Sequence, residues 1–385
     1  MSGNRIFVIA GEASGDLHAS HLVREIRKRR PDIEISCVGG QHLAEAGCEV
    51  VVSSDTISVV GISEVFSHAI PIVSAFLKTR QWLRSKRPDL LILVDFPEFN
   101  LLMARYAKSL GIPVFYYISP QVWAWRQGRV KKIAKVVDKM AVILPFEEEF
   151  YKRFGIDARF VGHPLLDSLD PDSIDGKGLR RALGLSDSDT IICLLPGSRK
   201  GEIERHLPIM LDAASKIGAK SKGVRFLVAL GESTASHNRD FVASLLSQAR
   251  CDVKLVEGKT YEAIKASQLC IAASGTVTLE VGIIGTPLVV IYKVSSLSYF
   301  LGKRLIRVPW VSLINLIAQK EVVPELLQDD ANPETIASKA LELLESDSAR
   351  SKMQKELAAL RKKLGSQGAS SQAAELALEL LDSRV

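Results

Sequence analysis

Paired cysteines, long apolar runs and metal-binding spacings are missing from this sequence. Its 385 residues include five widely spaced cysteines and no Cys-x-x-Cys pair, which argues against a structural zinc site and fits buried thiols in a reducing compartment. No stretch of about 20 predominantly apolar residues occurs, so no spanning helix is predicted. The start, MSGNRIFVIAGE, is typical of neither a signal peptide nor a membrane anchor, and we expect a cytoplasmic protein.

The overall composition is that of a globular protein. Charged residues make up 24% of the chain, and 26 glycines and 15 prolines are ordinary numbers, which excludes collagen-like and low-complexity classes. With 47% apolar residues, the length predicts about two or three domains. The net charge is +6, but no nucleic-acid-binding motif accompanies it, so no nucleic-acid partner is predicted.

One segment of the first half is unusually apolar and is followed by bases. It includes Val65, Phe66, Ile72 and Phe76, and the next stretch, KTRQWLRSKR, has five bases and no acid. Basic residues beside an apolar helix favour contact with anionic lipid headgroups or acyl chains. A core helix with solvated bases explains the same pattern, and both interpretations stay open here.

Short β-branched runs alternate with amphipathic segments along most of the chain, which predicts parallel sheets covered by helices on both faces. We expect two tandem Rossmann-like, doubly wound domains. The predicted boundaries are a first domain over residues 1–167, a linker over 168–188 rich in Pro, Asp and Gly, a second domain over 189–331, and a helical tail over 332–385. The tail could pack back on either domain. Ligands of such sheets bind beyond the carboxyl ends of the strands, so a cleft between facing domains is expected to hold the chemistry.

The first motif is RIFVIAGEASGD, a predicted strand, turn and helix containing Gly11, Glu12, Ser14 and Gly15. Its glycine spacing does not fit the dinucleotide fingerprint, and its serine is misplaced for a nucleophile elbow. The turn either binds a sugar or phosphate at the helix start or simply caps the helix.

The second motif is LLILVDFPEFN, in which Asp95 follows an apolar strand. A carboxylate at that edge either caps the next helix or accepts a proton from an attacking hydroxyl. Glu98 is the competing base. Asn100 is expected to orient the acceptor.

The third motif is LLPGSRKGEI, a strand followed by a turn and a helix. Ser198 supplies a hydroxyl donor, and Arg199 offers a planar fork that matches phosphate oxygens. We expect both residues in an anion site.

The fourth motif is AASGTVTLE, in which a strand passes directly into a helix. The turn Ser274, Gly275 and Thr276 presents free amides at the positive end of that helix, which favours a diphosphate. Glu280 lies one helical turn after Thr276 and is expected to accept hydrogen bonds from ribose hydroxyls.

The segment SPQVWAWRQGR follows another predicted strand and contains Trp123 and Arg126. Its aromatic rings either stack on a sugar or acyl chain or belong to the core. Its bases either meet an acceptor phosphate or form a solvated helix face.

Together these segments resemble the lipid-A-disaccharide synthase family, bacterial glycosyltransferases with the GT-B fold. The resemblance runs from IAGEASGDLHASHLVREIR through VDFPEFN, YYISPQVWAWRQGRVKKI, LLPGSRKGEI and ASGTVTLE to VSLINLIA. It implies inverting transfer of 2,3-diacylglucosamine from its UDP derivative to 2,3-diacylglucosamine 1-phosphate. The products are the β-1,6-linked disaccharide 1-phosphate and UDP.

The resemblance also implies where this reaction takes place in the chain and in the cell. It assigns the catalytic base to Asp95 and contacts with UDP to Arg199, Glu280 and Asn315. It implies peripheral attachment to the cytoplasmic face of the inner membrane, and no metal or other cofactor is predicted. Whether the protein forms a homodimer is left open.

Three other functions are compatible with the residue patterns. A UDP-sugar 2-epimerase and a peptidoglycan N-acetylglucosaminyltransferase both use two such domains and a UDP site. A non-catalytic protein that binds nucleotide sugars or lipids would show binding without turnover.

Overall fold

The computed structural model describes residues 4–56, 69–125, 127–294 and 308–383. The chain forms two compact units, which we call unit 1 (Met1–Ser168 with Leu364–Val385) and unit 2 (Leu169–Lys363). In the described ranges, no helix combines the length and apolar character needed to cross a membrane.

Unit 1 contains a seven-stranded parallel sheet. Its strands are β1 (Arg5–Ala10), β2 (Glu34–Gly39), β3 (Glu49–Ser53), β4 (Leu90–Val94), β5 (Val114–Tyr117), β6 (Lys139–Val142) and β7 (Asp157–Phe160). They lie in the order β3-β2-β1-β4-β5-β6-β7. The order reverses between β1 and β4, so this pair forms the topological switch point of the sheet.

Helices cover both faces of this sheet. They are α1 (Ala13–Arg29), α2 (Gln41–Glu45), α3 (Ala69–Lys86), α4 (Pro97–Ser109), α5 (Val122–Trp125), α6 (Val130–Ile133), α7 (Pro145–Lys152), α8 (Leu165–Ser168) and, from the end of the chain, α17 (Ala369–Asp382). Successive strand residues point to opposite faces: Ile6 and Val8 pack with α1 and α17, whereas Phe7 and Ile9 pack with α3 and α4.

Unit 2 repeats the plan with six parallel strands. They are β8 (Thr190–Leu195), β9 (Val224–Leu230), β10 (Val253–Glu257), β11 (Leu269–Ala273), β12 (Leu288–Tyr292) and β13 (Glu325–Leu327), in the order β10-β9-β8-β11-β12-β13. Its helices are α9 (Gly176–Ala182), α10 (Lys200–Lys220), α11 (Glu232–Ser247), α12 (Thr260–Ala266), α13 (Thr276–Ile284), α14 (Leu313–Ala318), α15 (Pro333–Glu345) and α16 (Asp347–Lys363). The switch point here lies between β8 and β11.

These two sheets confirm the predicted fold class of tandem doubly wound domains with a helical C-terminal region. The segment 168–188, predicted as a linker, instead contains α9, which the Asp175 carboxylate caps by accepting from the Gly178 amide at 2.7 Å. Buried Arg180 donates to the carbonyl oxygen of Ala266 at 2.9 Å and thereby holds α9 in unit 2.

The predicted tail divides between the units. Helices α15 and α16 belong to unit 2, whereas α17 belongs to unit 1. The Asp167 carboxylate accepts hydrogen bonds from the amides of Gly368, Ala369 and Ser370 at 2.6, 3.2 and 3.1 Å. An aspartate thus satisfies the free amides where α17 begins.

Candidate functional site

The first two sequence motifs meet at the switch point of unit 1. Ala10 pairs with Val94 across β1 and β4, so the next residues along the chain, Gly11 and Asp95, leave the sheet side by side. A Cβ atom on Gly11 would lie 2.3 Å from Cδ1 of Phe96. Glycine is therefore required at position 11 for the two turns to approach each other.

The backbone around Asp95 adopts a left-handed conformation that non-glycine residues rarely take. Asp95 has a φ of 47°, Phe96 a φ of 45°, and Ile118, just after β5, a φ of 59°. Such conformations cost about 1–3 kcal/mol each and concentrate at functional sites. The hydroxyl of Tyr116 donates to the Asp95 carbonyl oxygen at 2.6 Å, which helps to hold this turn.

The carboxyl group of Asp95 is unusually basic. Burial first, and then the negative charge of Glu12, raise its pKa to about 6, although a hydrogen bond from the Phe96 amide lowers it. A carboxylate with a pKa just below neutrality is mostly ionised at pH 7 yet accepts protons more readily than an ordinary aspartate.

The competing base, Glu98, has a different environment. Its side chain is 67% exposed and forms an ion pair with Arg129. Glu98 thus lies at the surface beside a cation, whereas Asp95 lies in the strained turn at the switch point, and this geometry favours Asp95 as the candidate proton acceptor.

Two residues predicted to face the acceptor are instead buried. Asn100 is 0% exposed, and its amide donates to the carbonyl oxygens of Val94 and Asp95 at 3.2 and 2.7 Å. Its amide nitrogen therefore supports the strained turn. Trp123 is 5% exposed and packs edge-on against Phe146 with the ring centres 4.8 Å apart, so the core alternative applies to it.

The other acceptor residues differ in accessibility. Glu12 and Ser14 are exposed, whereas Gly15 is buried. An ideal Cβ on Gly15 would lie 3.8 Å from the carbonyl oxygen of Val94, which shows how closely α1 approaches β4. Arg126 lies outside the described residues.

A buried glutamate that sequence reasoning missed joins the ends of β5 and β6. One oxygen of Glu147 accepts from the Ser119 hydroxyl at 2.8 Å and from Nε1 of Trp123 at 2.9 Å. The other accepts from the Leu144 amide at 3.0 Å. Burial raises the pKa of Glu147 to about 7 despite these hydrogen bonds. Glu147 fixes the loop that carries Trp123.

An apolar groove also lies in unit 1, between α3 and α4. Ile72 and Phe76 line it, together with Phe99 and Leu102. Val65 and Phe66, predicted to contact lipid with them, lie outside the described residues.

A cavity of about 520 Å³ in unit 2 lies at the carboxyl ends of β8, β9, β10 and β11. It therefore lies at the switch point of its sheet, where open α/β sheets bind ligands. The third and fourth sequence motifs meet there. The lining includes six predicted residues: Ser198, Arg199, Ser274, Gly275, Thr276 and Glu280.

The turn after β8 is shaped by a glycine and a glutamate. Gly197 has a φ of 115°, and the Glu202 carboxylate accepts from the amides of Ser198 and Arg199 at 3.0 and 3.3 Å. A side chain on Gly197 would collide with Glu202. This arrangement leaves the exposed guanidinium of Arg199 at the cavity wall.

Buried His206 holds the same turn from behind. Its Nε2 accepts from the Lys293 amide at 3.2 Å, so its Nδ1 carries the proton and donates to the Pro196 carbonyl oxygen at 3.1 Å. Burial lowers the pKa of His206, which keeps the ring neutral.

The turn after β11 leads directly into α13, which begins at Thr276. The first amides of a helix have no intrahelical acceptor and carry partial positive charge. The hydroxyl of Ser274 donates to the Val311 carbonyl oxygen at 3.4 Å. The amide-rich turn suits a diphosphate.

Glu280 on α13 has a partner that sequence reasoning missed. The hydroxyl of Tyr261 donates to Glu280 at 3.2 Å, and burial raises the pKa of the Glu280 carboxyl group. Both side chains line the cavity. A carboxylate in this wall can accept hydrogen bonds from a pair of hydroxyls.

Asn315 does not line this cavity. It is fully buried, donates to Glu325 and to the Val323 carbonyl oxygen at 2.8 Å each, and accepts from the Val322 amide at 2.7 Å. Its amide group therefore holds α14 against β13, and any effect on a nucleotide is indirect.

Comparison with known proteins identifies the relatives of this chain. A family model described as lipid-A-disaccharide synthetase matches residues 6–380. The lipid-A-disaccharide synthase of Syntrophus aciditrophicus is 45% identical over 382 residues, covering 99% of both chains. That of Geobacter sulfurreducens is 43% identical over 384 residues, covering 100% of this chain and 99% of the relative.

Solved structures share the fold at low sequence identity. The UDP-GlcNAc 2-epimerase from Neisseria meningitidis bound to UDP-GlcNAc aligns with a TM-score of 0.64 and 12% identity, covering 98% of this chain and 100% of the other. Acinetobacter baumannii MurG aligns with a TM-score of 0.57 and 12% identity, covering 98% and 99%. The two parallel sheets are thus those of GT-B proteins.

Proposed function

This chain belongs to the lipid-A-disaccharide synthetase family, and from that membership we propose how its two units divide one glycosyl transfer. The protein is a glycosyltransferase of lipid A biosynthesis. We propose that it joins UDP-2,3-diacylglucosamine to 2,3-diacylglucosamine 1-phosphate, forming the β-1,6-linked disaccharide 1-phosphate and releasing UDP.

Unit 2 binds the donor in this proposal. The diphosphate lies against the amides at Ser274, Gly275 and Thr276, with Arg199 beside it, and Glu280 accepts from the ribose hydroxyls. The cavity lined by these residues supports the assignment, because it combines helix-start amides, a cation and a carboxylate. Asn315 contributes by holding the neighbouring backbone.

Unit 1 supplies the base. The 6-hydroxyl oxygen of the acceptor forms the new bond to the anomeric carbon, and its proton passes to the carboxylate of Asp95. The bond from the anomeric carbon to the diphosphate oxygen breaks, and UDP leaves with the electron pair from the opposite face, which inverts the configuration. The transition state has oxocarbenium character, as in glycoside hydrolysis.

Stabilisation of the leaving diphosphate is a larger electrostatic contribution to this proposed reaction than proton transfer to Asp95. Negative charge grows on the diphosphate as the bond breaks, and donors already aimed at that position need no reorganisation. Arg199 and the amides before α13 fulfil this role in our proposal.

Attachment to the membrane is peripheral in this proposal, on the cytoplasmic face of the inner membrane. Ile72 and Phe76 contact acyl chains, and the bases that follow them along α3 contribute attraction to anionic headgroups.

The observation that carries this proposal is the position of Asp95 in a left-handed turn at the switch point of unit 1, and its pKa, raised to about 6, agrees with the role. The test is to incubate the protein with UDP-2,3-diacylglucosamine and 2,3-diacylglucosamine 1-phosphate and to identify a disaccharide by mass spectrometry. UDP should appear only when both substrates are present. Epimerisation of the donor without an acceptor, or transfer to a peptidoglycan precursor instead, would contradict the proposal.

A further inference from the structure

The apolar groove of unit 1 has a volume of about 600 Å³, within the range of small-molecule sites. Phe76 and Phe99 meet edge-on across it with ring centres 6.1 Å apart, and Phe96 packs on Phe99 at 5.8 Å. Phe96 follows Asp95 directly. The groove therefore begins beside the proposed base.

Side chains at the mouth of the groove expose apolar surface. Val73 is 56% exposed and Leu102 is 48% exposed, and both line it. Covering such apolar surface with a ligand stabilises the complex. An apolar ligand segment fits this surface.

The rim of the groove carries an excess of positive charge. Arg105, Arg129 and Lys132 line it together with one carboxylate, that of Glu98, which pairs with Arg129. In the part of the chain that the structure describes, no carboxylate lies within ion-pair distance of Arg105 or Lys132. A ligand with an acyl chain and a nearby anionic group is complementary to both features.

We propose that this groove is the acceptor site: it takes an acyl chain of the acceptor glycolipid on its apolar floor and the phosphate of the same molecule at Arg105 and Lys132. The inference rests on the proposed function and extends it by naming the residues that select a phosphorylated, acylated acceptor. A concave groove with cations on its rim distinguishes this site from a flat membrane-contact face.

The chain offers matched controls for both halves of the proposal. Lys131 and Lys132 are adjacent and both exposed, but Lys132 alone lines the groove. Val73 and Leu77 on α3 are each 56% exposed, and only Val73 lines the groove. Each pair separates contact with the groove from general surface charge or apolarity.

The phosphate half is tested by steady-state kinetics in neutral detergent micelles. Lys132→Glu and Arg105→Glu should raise the KM for the phosphorylated acceptor about tenfold or more, with the donor KM unchanged, whereas Lys131→Glu should stay within about twofold. With an acylated acceptor that lacks the phosphate, the acceptor KM of Lys132→Glu should equal that of the parent protein. Equal effects at 131 and 132, or a defect that persists without the phosphate, overturns the assignment.

The acyl half is tested in the same assay. Val73→Ser should raise the acceptor KM several-fold, since an apolar contact is lost, and Leu77→Ser should leave it unchanged. Equal effects overturn the acyl assignment.

Vesicles of anionic phospholipid without acceptor separate the glycolipid from a lipid headgroup. Lys131→Glu and Lys132→Glu should weaken vesicle binding equally. Weakening by Lys132→Glu alone, with a normal acceptor KM, would make the headgroup the ligand and overturn the inference. If the parent protein forms no disaccharide, the proposed function itself has failed. If the parent protein forms the disaccharide but each variant behaves like its control, only this inference has failed.

Discussion

The two units share one scaffold but differ at the carboxyl edge of the sheet. In unit 1, non-glycine residues such as Asp95 and Phe96 take left-handed conformations, and an apolar groove begins beside them. In unit 2, the corresponding edge has a glycine turn at Gly197, a helix start at Thr276 and a cavity with a cation, Arg199, in its wall.

This difference shows how one architecture can serve two kinds of chemistry. A partly buried carboxylate held by a strained turn suits proton transfer. Backbone amides at a helix start suit an anion, because their partial charge is fixed and cannot titrate. This contrast agrees with the proposal that unit 1 holds the proton acceptor and unit 2 the nucleotide, and substitutions in each unit test that division.

The largest effect is expected from Asp95→Asn. The amide cannot accept the proton, so turnover should fall by about 100-fold or more in the disaccharide assay. Glu98→Gln is the control and should retain most of the activity. Normal turnover in Asp95→Asn, or a larger loss of turnover in Glu98→Gln, would show that Asp95 is not the base.

The pH dependence should show the raised pKa of Asp95, about 6. Because the base must be ionised, kcat/KM should fall about tenfold per pH unit below that pKa and level off above it. Glu12→Gln removes a charge that raises the pKa of Asp95, so it should move the acid limb to lower pH. Glu149→Gln, at an exposed position on α7, should leave the limb in place.

Glu280→Ala should act on the other unit. Loss of a carboxylate that accepts from ribose should raise the donor KM by about tenfold and leave the acceptor KM near its parent value. Glu204→Ala, at an exposed position on α10, is the control. A change confined to the acceptor KM would argue against the division.

His206→Phe should have the smallest effect on activity and act mainly on stability. It leaves the partly buried Lys293 amide without the acceptor that His206 provides, at a cost of about 1 kcal/mol. Faster amide exchange at Lys293 and a lower thermal midpoint should result, with His206→Gln milder. Unchanged exchange at Lys293 would show that the hydrogen bond does not hold the turn.

Most strands could be predicted from the sequence, because buried parallel strands form apolar runs between glycine and proline turns. The run RIFVIA of the first motif, for example, forms β1, Arg5–Ala10. The missed strand β13 spans only Glu325–Leu327, too short for a pattern. Helix α9 was missed because its segment is rich in Pro, Asp and Gly.

The candidate sites were only partly predictable. Asp95 and Arg199 lie in turns that follow strands, and Glu280 lies about one turn into the helix that follows β11, so their position near the sheet edge follows from the alternation. Whether a polar side chain is buried does not follow from its place in the sequence. Asn100 and Asn315 were expected to face ligands, but both are buried and donate hydrogen bonds to backbone carbonyl oxygens. Arg105, Tyr261 and Glu147 were missed because each depends on residues distant in sequence.

The division between the units is tested most directly by calorimetric titration of UDP into the parent protein, Asp95→Asn and Glu280→Ala. The account predicts that Asp95→Asn binds UDP with the parent Kd, whereas Glu280→Ala binds about tenfold more weakly. Loss of UDP binding in Asp95→Asn, together with parent-like binding in Glu280→Ala, would contradict it.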